Sequence, residues 1–235
     1  MSVTTENAAP LPSGPVRSSI RRHGILFIIS APSGTGKTTL CKQLVASIPG
    51  LWHSISCTTR TPRSGEEPGR EYFFIEEVKF QEMIGRHEFV EWARVYGHLY
   101  GTPRKSLTDK LDQGIDVLLE IDVQGALQVK KKFADAVSIF ILPPSMTALR
   151  TRLQTRASDS PEEIQRRLQK VKEEVWSYRE YAYIVRNDDL ARSLRDLEHI
   201  FLAERSKTTR MDTAWIEANF LLTDESKSGD RTDHP

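Results

Sequence analysis

Two periods of apolar and polar positions succeed one another along the chain. Ile25–Ser30 is a short, almost continuous apolar run, the pattern of a strand buried on both faces. Lys37–Ile48 then spaces its apolar residues three and four apart, which predicts a helix with one buried side. The same pair of patterns recurs downstream. Asp116–Ile121 and Val137–Leu142 read as buried strands, and Pro103–Asp112, Gln124–Lys132 and Met146–Arg156 as helices. Glu162–Ser177 predicts a longer polar helix, Tyr181–Val185 a fourth strand, and Asp189–Ala203 a further helix. Strands and helices in alternation, with continuous apolar strands, predict an α/β fold whose parallel sheet is covered by helices on both faces. Residues 54–101 break this rhythm with short aromatic strands and a run rich in Arg, Gly and Pro, and read as an inserted subdomain.

The two ends lack either period. Residues 1–23 carry Pro10, Pro12 and Pro15 with several Ser and Thr and the cluster Arg17, Arg21 and Arg22. Without an apolar segment this is not a secretory signal, and the prolines oppose the amphipathic helix of an organellar transit peptide. A disordered tail is expected there, and a second over 223–235. In between, Met211, Trp215, Ala218 and Leu222 would line one face of a helical extension over 205–222. That face docks on the protein's own core or, alternatively, on a partner or second copy.

Composition narrows the function classes. The 235 residues are 38% apolar, enough for a sizeable core. The 33 basic and 32 acidic side chains nearly cancel, so bulk attraction to nucleic acid or to an anionic membrane is not expected. The longest fully apolar run, Ile25–Ile29, is far too short to span a bilayer. Cys41 and Cys57 make no disulfide framework, and a reduced, cytoplasmic compartment is the default. None of the six histidines stands at metal-ligand spacing from a cysteine or another histidine.

The chemistry begins after the first strand. Ala31-Pro32-Ser33-Gly34-Thr35-Gly36-Lys37-Thr38-Thr39 matches the phosphate-loop pattern, with Ala31 in place of the first Gly, and opens a helix as that motif requires. Gly34 and Gly36 let successive N–H groups converge, and the helix start adds its partial positive charge. Lys37 would reach the β- and γ-phosphates, and the Thr38 hydroxyl is placed to ligate Mg²⁺. The loop implies a nucleoside triphosphate with Mg²⁺ and leaves the acceptor open. Further on, Arg60 and Arg63 flank Pro62, so a stiffened loop could offer two forked cations to one anion, with Tyr72 and Tyr100 as hydroxyl donors. A solvated basic loop is the alternative. Glu120 and Asp122 stand two apart at the carboxyl end of an apolar strand, where α/β sheets bind ligands. Acids that cap a helix or face solvent are the alternative there. Glu91, after Phe89-Val90, could equally be a surface acid on an edge strand.

Taken together, these blocks closely resemble the guanylate kinase family. The matching segments are A-P-S-G-T-G-K-T-T (31–39), S-C-T-T-R-T-P-R-S-G-E (56–66), G-R-E-Y-F-F (69–74), E-F-V-E-W-A (88–93), Y-G-T (100–102), L-E-I-D-V-Q-G (119–125), L-P-P-S (142–145), R-L-Q-T-R (152–156) and N-D-D-L (187–190). The resemblance covers about 24–204. It implies a P-loop core (24–53, 103–147 and 180–204), a GMP-binding insert (54–102) and a helical lid (148–179). It also implies ATP and GMP as substrates and Mg²⁺ carried with ATP. By position, Arg60, Arg63, Tyr72 and Tyr100 would hold the acceptor phosphate. Ser56, Glu91, Thr102 and Asp122 would read or support guanine, with Glu120 beside them. Arg152, Arg156 and Arg167 match lid positions that contact the transferred group, and Asn187 the place that meets adenine. Three departures stand out: Ala31, Ala157-Ser158 where the family has Gly-Thr, and Arg186 where an apolar residue is usual. Two other functions share the scaffold. The ribose-bisphosphate kinases would not need Ser56, Glu91, Thr102 and Asp122, and the non-catalytic guanylate-kinase-like modules typically lose the Gly36-Lys37-Thr38 that is intact here. Whether the chain is a monomer or a homo-oligomer is left open.

Overall fold

The computed structural model describes residues 23–155, 161–211 and 213–221. Residues 23–210 form one compact unit. Its core is a five-stranded sheet in the order β2-β7-β1-β8-β9, with every pairing parallel. The strands are β1 (Leu26–Ser30), β2 (Leu51–His53), β7 (Asp116–Glu120), β8 (Val137–Leu142) and β9 (Tyr183–Arg186). Alternate residues of β1 feed two separate cores. Phe27 and Ile29 pack with Leu40, Cys41 and Leu44 of α1 (Lys37–Ser47) and with Leu197 and Phe201 of α7 (Leu190–Arg205). Leu26 and Ile28 pack on the opposite face with Leu107 and Leu111 of α3 (Arg104–Asp112) and Ala126 and Val129 of α4 (Val123–Lys132). Burial on both faces is why these strands read as continuous apolar runs. The Phe27 and Phe201 rings stack at 3.7 Å and fix α7 against the central strand.

The strands and helices expected in the core are found, with two differences at the edges of the sheet. β2 is three residues long and only Leu51 is fully buried, so it has no apolar run; its pairing with β7 makes it a strand. β9 begins at Tyr183 instead of Tyr181, because the helix α6 (Pro161–Val175) is followed by a 3₁₀ turn, Trp176–Glu180. That turn leaves Tyr181 packed against the ring of Phe140.

The region that broke the rhythm is a second, four-stranded sheet in the order β4-β3-β6-β5, with mixed pairing. Its strands are β3 (Cys57–Thr58), β4 (Phe73–Phe74), β5 (Phe89–Val95) and β6 (His98–Pro103), and α2 (Glu77–Gly85) covers it. Cys57, Phe80, Phe89 and Leu99 make its own small core. It is tied to the main sheet through α4. The Gln128 amide bonds both the N–H (3.3 Å) and the carbonyl (2.8 Å) of Trp92, and Lys132 Nζ donates to the Val90 carbonyl. A fourth cluster joins α5 (Met146–Thr155) to α6 through Leu149, Leu153, Leu168 and Val171.

Residues 211–221 fall outside that unit: a short helix α8, Thr213–Ile216, runs into a wider helical turn, Glu217–Leu221. Leu222 and the Trp215 side chain of the expected stripe lie outside the described residues, as do both tails (1–22 and 223–235).

At the sheet edge away from the strand ends that carry the phosphate loop, Asp116 is fully buried. It accepts the Ile25 N–H (2.9 Å) and Arg205 Nε (2.7 Å), while Arg205 Nη2 reaches the Pro49 carbonyl (2.9 Å). Removing one member of a buried pair strands the other. Asp116→Ala should therefore cost about 3 kcal/mol in urea unfolding, with turnover of the folded fraction at 25 °C unchanged.

Candidate active site

β1 delivers the chain to the carboxyl edge of the sheet, where the loop 31–36 turns into α1. Gly36 is the N-cap residue of α1, with φ of 95°, and no side chain caps that helix. A β-carbon at Gly36 would lie 2.8 Å from Asn187 Nδ2, so close approach as well as backbone sign requires glycine. The approach is used. Asn187 Nδ2 donates to the Thr35 carbonyl (2.7 Å), and Arg152 donates to that same carbonyl (3.1 Å) and to the Asn187 carbonyl (3.0 Å). The loop is thus braced from behind, and its amides and the start of α1 are left to an anion in front. Lys37 Nζ donates to the Ile121 carbonyl (3.0 Å) and lies 4.0 Å from Glu120. Thr38 Oγ1 donates to Glu120 Oε1 at 2.5 Å.

In front of the loop is a cleft of about 290 Å³. The segment Ala31 to Thr39 forms one wall, and Ser56, Tyr72, Glu91 and Tyr100 of the smaller sheet form the facing wall. Glu120 and Asp122 also line the cleft, as do Ala93, Val95, Tyr96, Ile121, Lys170 and Glu174. The phosphate-loop segment and residues of the smaller sheet therefore line one cavity. Burial pushes the Tyr72 phenol up to about 12, so it is a proton donor throughout the neutral range.

Arg60 and Arg63 share one carboxylate. Arg60 Nη2 bonds both oxygens of Glu66 at 2.9 Å, and the Arg63 backbone N–H donates to Glu66 at 2.8 Å. The Arg60 guanidinium also lies 5.6 Å from the Tyr72 ring centre and 5.8 Å from that of Phe74. The Arg63 side chain is exposed and lies outside the cleft lining.

Glu91 is 3% exposed and accepts the Thr102 hydroxyl at 2.6 Å. Room for its carboxylate comes from Gly125 in the first turn of α4, where a β-carbon would stand 2.5 Å from Glu91 Oε2. Asp122 is the N-cap of α4 and accepts the Gly125 N–H at 3.0 Å. Asp122 thus caps a helix and lines the cleft at once. β7 ends at Glu120, so the two acids come from a strand end and a helix cap instead of one strand face. Burial raises the Glu91 carboxyl to about 7, the Asp122 charge adds to it, and the Thr102 bond and the Lys132 charge oppose it.

Asn187, Arg152, Thr102 and Arg60 support the walls from outside the lining. Arg167 lies on α6, 5.7 Å from the Tyr96 ring centre. Arg156, with Ala157-Ser158, lies outside the described residues. Arg186 is 66% exposed and pairs with Asp188 at 2.8 Å, so it faces solvent. Sequence reasoning missed Glu66, His53, Tyr96, Lys170 and Glu174. His53 Nε2 lies 3.6 Å from Glu120 Oε2, a contact made by the strand that had no apolar signature. Gly125 carried a signal, a glycine within a helical pattern, which marks a close approach when it is not a cap.

Comparison with known proteins agrees with this architecture. The family model described as guanylate kinase matches residues 23–204. The chain is 47% identical to a guanylate kinase of Geobacter sulfurreducens over 192 residues, covering 82% of this chain and 95% of the relative. It is 48% identical to one of Caldanaerobacter subterraneus over 199 residues, covering 85% and 97%. The crystal structure of guanylate kinase from Anaplasma phagocytophilum superposes with a TM-score of 0.74 at 32% identity, covering 87% of this chain and 99% of that one.

A buried carboxyl with a raised pKa binds its proton more tightly in the folded than in the unfolded state. Its contribution to stability is complete below the unfolded value of 4.5 and is lost as pH rises through about 7. The ligand-free protein should lose up to about 3 kcal/mol of unfolding free energy between pH 5 and 8 from this group. Glu91→Gln should lack that loss and be the more stable protein at pH 8, as measured by urea titration at each pH.

Proposed function

The chain belongs to the guanylate kinase family and is an ATP:GMP phosphotransferase, and we propose the following roles for its residues in making ADP and GDP. The observation that carries the assignment is a buried carboxylate, Glu91, facing a braced phosphate loop across one cleft. Guanine presents N1–H and N2–H₂ as adjacent donors, and an ionised carboxylate only accepts, so Glu91 takes both. Ser56 and Thr102 supply hydroxyls and Asp122 a second acceptor nearby. Adenine turns a bare N1 toward the carboxylate and leaves the buried acceptors opposed. Tyr72 and Tyr100 line the cleft where the acceptor phosphate binds, Arg60 stands beside them with its fork fixed by Glu66 near two aromatic rings, and Arg63, exposed outside the lining, joins the phosphate by turning inward.

Transfer between two phosphates needs little proton chemistry, since the acceptor oxygen is already a nucleophile. The task is alignment and relief of repulsion between two anions. The amides of 31–39 and Lys37 receive the β- and γ-phosphates. Arg152 lends charge from behind the loop, and Arg156 and Arg167 lend it from the lid. Asn187 holds the loop beside the place assigned to adenine. The Thr38 hydroxyl at the start of α1 and the Glu120 carboxylate at the end of β7, bonded to each other, are hard oxygen donors that would hold the Mg²⁺ carried with ATP. When bound, it neutralises charge on the β- and γ-oxygens. A closed lid also excludes water from the γ-phosphate. Free, buried cysteines and nucleotide substrates support a cytoplasmic role in purine nucleotide metabolism.

A coupled ADP-release assay with a panel of nucleoside monophosphates tests the assignment. GMP should exceed AMP by about 10⁴ in kcat/KM, and Glu91→Gln should lower GMP use by about 10²-fold or more while leaving AMP unchanged. Equal use of AMP by the wild type would remove Glu91 from base reading. Lys37→Ala should still fold and lose turnover; near-normal kcat would overturn the phosphate-loop role. The KM for GMP should rise as pH falls below about 7, because the raised Glu91 carboxyl must then release its proton to accept guanine.

A further inference from the structure

The β5–β6 hairpin closes through Tyr96 and Gly97, between the paired residues Val95 and His98. Both loop residues have positive φ, 49° and 86°, as a type I′ turn requires. Asn, Asp and Gly favour the first position of such a turn, and a bulky aromatic there is strained. Tyrosine is a poor residue for the turn, and strain of this kind persists where the surroundings make use of it.

Those surroundings come from the lid. Three cations of α6 approach the Tyr96 ring: Lys170 Nζ at 4.5 Å, the Arg166 guanidinium at 5.5 Å and that of Arg167 at 5.7 Å from its centre. Like charges at this spacing on one helix repel each other. The negative face of the ring offsets that repulsion, and Glu174 adds a carboxylate 3.6 Å from Lys170 Nζ. Tyr96 and Lys170 both line the cleft. The contact joins the hairpin whose strands carry Glu91 and Tyr100 to the helix that carries Arg167.

We propose that Tyr96 is a positioning residue for phosphoryl transfer: its ring seats the cationic face of α6 on the acceptor-binding hairpin and so sets Arg167 relative to the bound acceptor. The proposal rests on the ATP:GMP assignment above. Tyr96 need make no bond to either substrate; it makes closure of the lid depend on the hairpin that holds the acceptor. The contact acts by placing Arg167 on the group being transferred, so its loss falls on kcat more than on the KM for GMP.

The test compares Tyr96→Asn and Tyr96→Phe in the full chain, by steady-state kinetics and thermal unfolding. Asparagine suits the turn, so Tyr96→Asn should keep or raise Tm, while kcat falls about tenfold through loss of the cation–ring contacts and the KM for GMP moves less than about threefold. Phenylalanine keeps the ring face and should hold kcat within about twofold. A tyrosine without this positioning role would give the same kept or raised Tm in Tyr96→Asn but an unchanged kcat. That result, or a Tyr96→Phe as slow as Tyr96→Asn, would overturn the proposal while wild-type activity on GMP leaves the parent assignment standing. A wild type inactive on GMP would remove the parent assignment first, and the proposal with it.

Discussion

The amino end of α1 carries no side-chain cap, and much of the site is arranged around that exposed, partly positive helix start. A glycine at the N-cap, with a left-handed backbone, aims the loop amides forward but gives up the stability that Ser or Asp would provide there. The structure compensates behind the loop. Asn187 and Arg152 converge on the Thr35 carbonyl, from segments more than 100 residues away in sequence. Lys37 and Thr38 are held at Ile121 and Glu120, on the neighbouring strand end. The phosphate loop is therefore stiff because the ends of β7 and β9 and the helix α5 hold it, not by its own composition.

The acceptor side places a cost in the opposite sense. A carboxyl buried as deeply as Glu91 raises its own pKa and destabilises the ligand-free protein at neutral pH. The arrangement makes sense when a ligand with two adjacent donors restores what burial removed. Gly125 belongs to the same arrangement: it gives up helix propensity, worth up to about 1 kcal/mol, so that the carboxylate can sit against the first turn of α4. In the proposed assignment, base selection depends on how closely a strand of the smaller sheet approaches α4.

These two halves belong to different sheets, and α4 joins them. Its N-cap Asp122 lines the cleft, its Gln128 bonds the edge of β5, and its Lys132 reaches Val90 beside Glu91. Across the cleft, α6 meets the β5–β6 hairpin at Tyr96. The smaller sheet is thereby linked to the core on one side and to α6 on the other.

The amino-acid pattern alone determined the parallel α/β core, because strands buried on both faces must be apolar throughout, and alternate residues of β1 do fill two cores. It also determined the phosphate loop, whose function depends on local backbone freedom and helix polarity within nine consecutive residues. Tertiary structure decided what depends on partners distant in sequence. β2 is a strand only because β7 pairs with it, which brings His53 to Glu120. Asp122 was expected on the same strand face as Glu120 but became a helix cap, because α4 begins one residue after it. Arg186, where the family usually has an apolar residue, is held at the surface by Asp188. Arg60 and Arg63 were legible as a pair, but not that Glu66 would hold both through different atoms. Glu91 had no distinguishing local pattern beyond its family position. Its burial, its raised pKa and the space it occupies all come from Gly125, Thr102 and Asp122, and such long-range proximity leaves no period in a sequence for a residue to display.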